Sequence, residues 1–170
     1  MEEIRFSVKM KVIDMYRFLM YLSYSGRSCV INMVISIGAL VLLIAGVADS
    51  TGAKVALGLI AALFLVVNPI FLYYRAAKQV KLNPAYEKPM DYLVNDEGIL
   101  ISQGEETMPV EWSCLTKVVE KKHAIYVFAN VSAAVFLLLP KSALAEQEAA
   151  FKDVLKAKTE GTACKCKWKV

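Results

Sequence analysis

Apolar and polar positions change rhythm three times along this chain. At the start Ile4, Phe6, Val8 and Met10 alternate with Arg5, Ser7, Lys9 and Lys11. That is the period of a half-buried strand with a basic outer face, and it predicts a strand over residues 3–11. Asp14 follows as the expected N-cap of a helix over 15–25, where Tyr16, Leu19, Met20 and Tyr24 fall at helical spacing. This helix has two readings: packed on a soluble domain, or lying in a membrane interface. The pattern then turns continuously apolar. Residues 29–48 and 55–74 each run 20 residues without a charged side chain. As helices they are about 30 Å long, the thickness of a bilayer's hydrocarbon core. The intervening DSTGAK (49–54) is too short to recross it, so the two spans are expected to be antiparallel neighbours.

The third rhythm begins after a linker, residues 75–89. Short apolar runs at 90–95, 99–103, 107–112, 114–120, 124–130 and 134–139 alternate with turn residues. Gly98 closes the turn Asn95-Asp96-Glu97-Gly98 and is expected at positive φ. Pro109 directs its strand to a sheet edge or a bulge. Ser142 is the expected N-cap of a helix carrying Leu144, Phe151 and Leu155 through residue 158. Consecutive antiparallel strands closed by one helix predict a small β-sheet or barrel domain over 90–158, the order of pleckstrin-homology-like modules. Residues 159–170 read as a frayed basic tail. A lone strand is not stable by itself, so the strand in 1–28 is expected to join this C-terminal sheet. The fold class is therefore an α+β membrane protein: a transmembrane hairpin inserted near the start of a small antiparallel β domain.

Composition sharpens this picture. The chain is 57% apolar, against about 45–50% for a soluble domain, and the excess falls in 29–74. Arg17 and Arg27 precede the first span; Arg75, Lys78, Lys81 and Lys88 follow the second. The loop carries only Lys54, offset by Asp49. Positive charge stays inside, so the expectation is a multi-pass protein of the cell membrane with both termini cytoplasmic and the loop outside. A cleaved signal is disfavoured, because the first run exceeds the usual apolar stretch of about 7–15 residues. The net charge of +4 is small and scattered, which argues against a nucleic-acid partner.

Candidate chemistry is sparse. No G-x-S-x-G, H-E-x-x-H, P-loop or G-x-G-x-x-G occurs. Asn32, Ser36 and Asn68 are expected to meet as an interhelical hydrogen-bond cluster. The rival reading, a permeation path, lacks any ionisable residue within the spans. Pro69 is expected to kink the second span, and Gly38, Gly46, Gly58 and Ala62 to let the helices approach. Lys117, Lys121 and Lys122, beside His123, are the candidate contact with anionic headgroups, weighed against a solvated hairpin tip with Glu120 among them. Cys29, Cys114, Cys164 and Cys166 read as reduced thiols, since Cys164 and Cys166 lack the ligands a metal needs. No catalytic residue, metal or cofactor is expected.

The order of parts carries a resemblance. IRFSVKMKV with Asp14 and its helix, the two spans, VNDEGILIS, the strand ending EW at Trp112, and VFLLLPKSAL together resemble the YcxB-like family of small bacterial membrane proteins. The resemblance implies a membrane anchor with a C-terminal, pleckstrin-homology-like domain. It implies no established activity and supplies no functional residues. The expected function is a membrane-tethered interaction module, meeting the lipid bilayer and a protein partner, a membrane-surface ligand or a second copy of itself. The rival classes are a membrane-bound enzyme using Cys114 or His123, and a small transporter subunit.

Overall fold

The N-terminal alternation becomes strand β1 (Ile4–Val8), with Ile4, Phe6 and Val8 buried and Arg5 and Ser7 exposed. The computed structural model describes residues 3–131 and 134–168, with the side chains of 27–29 and 134 left aside. β1 pairs antiparallel with β2 (Met90–Val94), placing Phe6 opposite Tyr92 and Val8 opposite Met90. β3 (Gly98–Gln103) and β4 (Glu106–Glu111) complete a meander in the order β1-β2-β3-β4. Pro109 sits on the edge strand β4, where its missing N–H costs no ladder bond. The second sheet, β7-β6-β5-β8, is built from β5 (Leu115–Glu120), β6 (Ala124–Asn130), β7 (Ala134–Pro140) and β8 (Lys165–Lys167). Two helices, α5 (Lys141–Leu144) and α6 (Glu148–Thr159), lie in the same unit. Phe6 binds the layers together: its ring stacks on Tyr92 at 5.2 Å and meets Phe151 of α6 edge-on at 5.6 Å.

Three local expectations are corrected here. Gly98 is not at positive φ. It is glycine because a Cβ there would lie 2.2 Å from the Val110 carbonyl oxygen, where β3 and β4 pack backbone to backbone. Ser142 does not cap: Pro140 precedes α5, and the helix then breaks at Ala145, at φ 44° and ψ −118°. That break explains why Gln147 and Glu148 interrupt the apolar stripe; Leu144 lies before it, Phe151 and Leu155 after it. Nor are residues 165–167 frayed, since β8 pairs in parallel with β5, Cys166 opposite Val118. Cys166 is half-buried between two exposed lysines, the alternation of a short edge strand. Residues 169–170 of the expected tail lie outside the described residues.

The chain divides into two units: Met1–Asp14 with Val80–Val170, just described, and Met15–Gln79. Helix α1 (Val12–Tyr24) leads into the second. It starts before Asp14, which occupies the first turn, where a carboxylate favours the positive end of the helix dipole. α2 (Arg27–Ile44) is 18 residues long, and it stops before the expected end at 48. Gly46, at φ 69°, donates to the Leu43 carbonyl at 3.3 Å, and Val47 donates to Leu42 at 3.3 Å. This is a Schellman cap, so Gly46 ends the helix and does not serve close packing. Ser50 caps the next helix by accepting from the Ala53 N–H at 3.2 Å, so the last four residues of DSTGAK are helical. From there α3 (Thr51–Ala62), a π turn (Leu63–Val67) and α4 (Asn68–Leu82) run on as one helix. Residues 75–82 are thus helix and not linker.

The helix Thr51–Leu82 is 32 residues long, with a mean hydropathy of 2.6 over its most apolar stretch. Only 17% of that stretch is buried, which sets it apart from the core helix of a soluble domain. Among the described residues it is the one straight-through helix long and apolar enough to cross a membrane. Val12–Ser25 and Val30–Ile44 reach that length only as a pair bent by 85°.

Candidate functional site

The β unit contains an apolar groove of about 300 Å³, at the lower end of the range for ligand pockets, about 300–1,000 Å³. Met90 and Tyr92 reach it from β2, Met108 from β4 and Phe136 from β7. Met10 and Tyr86 reach it from the two segments where the chain leaves for the helices and returns. Among the described residues no charged side chain lines it. The larger hollows nearby are different, with Glu97 and Glu111 on one wall, and Arg5 and Asp91 on another. Methionine suits such a surface because its unbranched thioether repacks around irregular apolar shapes. The Tyr92 hydroxyl meets the Met90 sulfur at 3.9 Å. Burial, and then Tyr86 nearby, push the Tyr92 phenol up to about 12. Met108 and Phe136 are each 38% exposed, so the groove opens to its surroundings.

One wall of the groove is fixed by polar chemistry that sequence reading missed. Asn83 Oδ1 accepts from the Ala85 N–H at 3.0 Å and opens a 3-10 turn, Pro84–Tyr86. Gln103 Nε2 then donates to the carbonyls of Ala85, at 2.9 Å, and Lys88, at 3.0 Å. Asn-Pro at 83–84 was a turn signal; nothing in the local pattern marks Gln103.

The motif residues form a second cluster at the end of β2. Asn95 Oδ1 accepts from the N–H groups of Glu97 and Gly98, both at 3.0 Å, an Asx turn. The Trp112 indole donates to the carbonyls of Asn95, at 3.2 Å, and Asp96, at 3.1 Å. Lys158 of α6 pairs with the Asp96 carboxylate at 3.0 Å, which holds that carboxyl below its usual range. VNDEG and the EW strand end therefore meet as a structural tie between the first sheet and α6.

A third cluster surrounds Glu120, which is buried and not part of a solvated tip. It accepts from Lys141 at 2.5 Å and Lys152 at 2.9 Å, and Lys141 also reaches Glu148 at 2.6 Å. Burial draws the Lys141 ammonium down, but its hydrogen bonds to Glu120 and Glu148 outweigh this and raise it. Among the headgroup candidates, Lys121 and Lys122 are exposed. Lys117 is half-buried, with its ammonium 5.5 Å from the centre of the Phe128 ring.

The three polar residues of the helical unit do not converge. Ser36 donates to the Ile60 carbonyl at 3.2 Å, Asn32 is exposed, and Asn68 donates to Tyr24, at 3.2 Å, and Ser23, at 3.4 Å. The partner of Asn68 is thus α1, whose Tyr16 also meets Tyr73 edge-on at 5.6 Å. Pro69 explains the arrangement. Its ring would strike the carbonyl four residues back and it has no N–H to donate. The helix responds with the π turn, in which the Asn68 N–H reaches Leu63. A π pattern would pair the Phe64 carbonyl with residue 69, and proline cannot oblige. The Tyr24 hydroxyl donates to that carbonyl instead, at 3.0 Å.

The cysteines carry no visible chemistry. Cys166 donates to Thr159 Oγ1 at 3.3 Å and lies 3.8 Å from Cys164. Burial, with the Cys166 thiol beside it, pushes Cys164 up to about 11, away from the reactive thiolate. Cys114 is half-buried, and its sulfur is 3.9 Å from Ser113 Oγ. His123 sits exposed in the β5–β6 turn, where its carbonyl accepts from the Lys141 N–H at 2.9 Å. The side chains of Arg27 and Cys29 lie outside the described residues. No group of three His, Cys, Asp or Glu is placed to hold a metal among the described residues.

The β unit is thus a two-sheet α+β domain whose groove, and not a polar cleft, is the candidate site. Residues 94–155 match the model of the family described as YcxB-like protein. This segment, well under half of the chain, is YcxB-like and runs from the end of β2 into α6. No curated protein and no solved structure matches the chain.

Proposed function

We propose that this protein is a membrane-anchored interaction module. In this reading a two-span hairpin holds the β domain at the cytoplasmic face, with both termini on that side. One observation carries it: Val8 pairs with Met90, so the strands before and after the helical insertion are neighbours in one sheet. A segment that leaves and re-enters the same sheet edge must cross a membrane an even number of times, or not at all. The uncovered apolar helices favour crossing, and the bias of Lys and Arg favours the cytoplasm for the domain. A four-strand meander, a three-strand meander and a closing helix follow the order of pleckstrin-homology-like modules, which supports reading the domain as one, with β8 as an addition. The groove then serves as the surface that meets a partner or a membrane-surface ligand. Reporter fusions test this reading: cytoplasmic signals are expected at both ends and an external signal after residue 49. An external signal from either terminus would sink it.

A further inference from the structure

We propose that the groove takes an acyl chain of an anionic membrane lipid, an inference that rests on the membrane-anchored reading above. Among the described residues its lining offers hydrocarbon, thioether and aromatic surface, with two phenol hydroxyls as the only side-chain polar atoms. That excludes a charged or strongly polar occupant, whose desolvation would go uncompensated. The position along the chain selects membrane lipid over other apolar ligands. Met10 stands two residues before α1 begins, and the 3-10 turn that bears Tyr86 starts two residues after α4 ends. The groove's lining therefore includes the two segments of the domain that adjoin the apolar helices in sequence.

Charge selects the headgroup. Exposed Lys9 and Lys11 flank Met10, and exposed Lys81 and Lys88 bracket the Pro84–Tyr86 turn, with Glu87 the acid among them. Basic residues beside a membrane attract anionic lipid. Gln103 clamps one wall through the Ala85 and Lys88 carbonyls, and a wall so tied needs less ordering on binding. Met108 and Phe136, exposed at the groove, are the surfaces that a chain would cover.

The full chain is reconstituted in phosphatidylethanolamine vesicles, with or without phosphatidylglycerol, and doped with phosphatidylglycerol or phosphatidylethanolamine bearing a diazirine on one acyl chain. After irradiation, peptides are mapped by mass spectrometry. Labelled phosphatidylglycerol is expected on peptides containing Met90, Met108 and Phe136 as well as on the helix Thr51–Leu82. Met108→Asp is expected to reduce the groove label about tenfold, with the helix label and Trp112 fluorescence unchanged. Exchanging Lys9, Lys11, Lys81 and Lys88 for Glu is expected to remove the preference for phosphatidylglycerol over phosphatidylethanolamine in the groove. Label on the helix but not the groove overturns this inference and leaves the membrane reading standing; label on neither overturns both. Groove label that survives Met108→Asp, or groove residues cross-linked to a second copy in place of lipid, also overturns it.

Discussion

The two units distribute apolar side chains in opposite ways. In the β unit the apolar side chains of the core point inward: Val8, Val94, Ile125, Leu139 and Phe151 are fully enclosed, and most lysines face out, while Lys141 and Lys152 turn in to Glu120. In the helical unit α1 buries Met15 and Phe18, but along the apolar helices after it the buried residues are small, with Leu72 the exception. Ser36, Ala39 and Ala61 are buried, while Ile44, Leu63 and Ile70 stand 64–77% exposed. Burial in water is driven by apolar area. Among helices in lipid that drive is absent, and close approach of small residues with satisfied polar groups takes over. Under the membrane-anchored reading proposed above, the helical unit treats its polar groups accordingly: the carbonyl that Pro69 orphans receives a hydroxyl from another helix.

Breaking the β unit should require an apolar deletion. Phe6→Ala removes a ring held between Tyr92 and Phe151 and is expected to cost about 3–5 kcal/mol. Denaturant titration of the full chain in detergent, read by Trp112 fluorescence, should show this loss with helical dichroism largely kept. Gly98→Ala comes next. Its Cβ would meet backbone and not a yielding side chain, so about 1–3 kcal/mol should be lost in the same titration.

Breaking the helical unit should require a polar deletion. Tyr24→Phe leaves the Phe64 carbonyl without its donor and should cost about 1–2 kcal/mol in a detergent unfolding assay. A double-mutant cycle sharpens the point. With Pro69→Ala in place, residue 69 regains an N–H, and the cost of Tyr24→Phe should shrink. An undiminished cost would mean that the hydroxyl serves something other than the proline's orphan.

Alkali should separate the units more gently. Folding keeps the Tyr92 proton up to about pH 12, whereas an unfolded tyrosine loses it near pH 10. The folded β unit therefore binds more protons over that window, and its stability falls as pH rises through it. Lys141 acts in the same sense: its raised value keeps its contribution whole below the ordinary lysine range and loses it above. Unfolding midpoints should hold to about pH 10 and then drop, less steeply in Tyr92→Phe. The smallest effect should come from Ala145→Gly. It relieves an unfavourable backbone at φ 44° but adds chain entropy to the unfolded state, for a net gain of about 1 kcal/mol in the same melts.

Periodicity made the secondary structure legible, and its failures were tertiary. The alternation around Phe6 and the six runs after residue 90 correspond to β1 and β2–β7, because alternation reports directly which face is buried. The identity of Gly98 was legible and its reason was not, since the close approach of Val110 belongs to strand pairing. β8 was missed because three residues, two of them lysines, carry too little pattern. Glu120 looked solvated beside Lys121 and Lys122, and its partners Lys141 and Lys152 come from later helices. The groove was invisible for the same reason: Met10, Met90, Met108 and Phe136 are distant in sequence, and only the fold makes them neighbours.

The pairing of Phe6 with Tyr92 also sets a timetable for synthesis. Chains grow at about 5–20 residues per second, so β1 waits on the order of seconds for β2, while the apolar helices emerge in between. The β core therefore closes only after those helices have been synthesised. Under the membrane-anchored reading, a variant that delays insertion of the helices should leave β1 an unpaired strand edge, open to proteolysis, even though no residue of the β domain has changed.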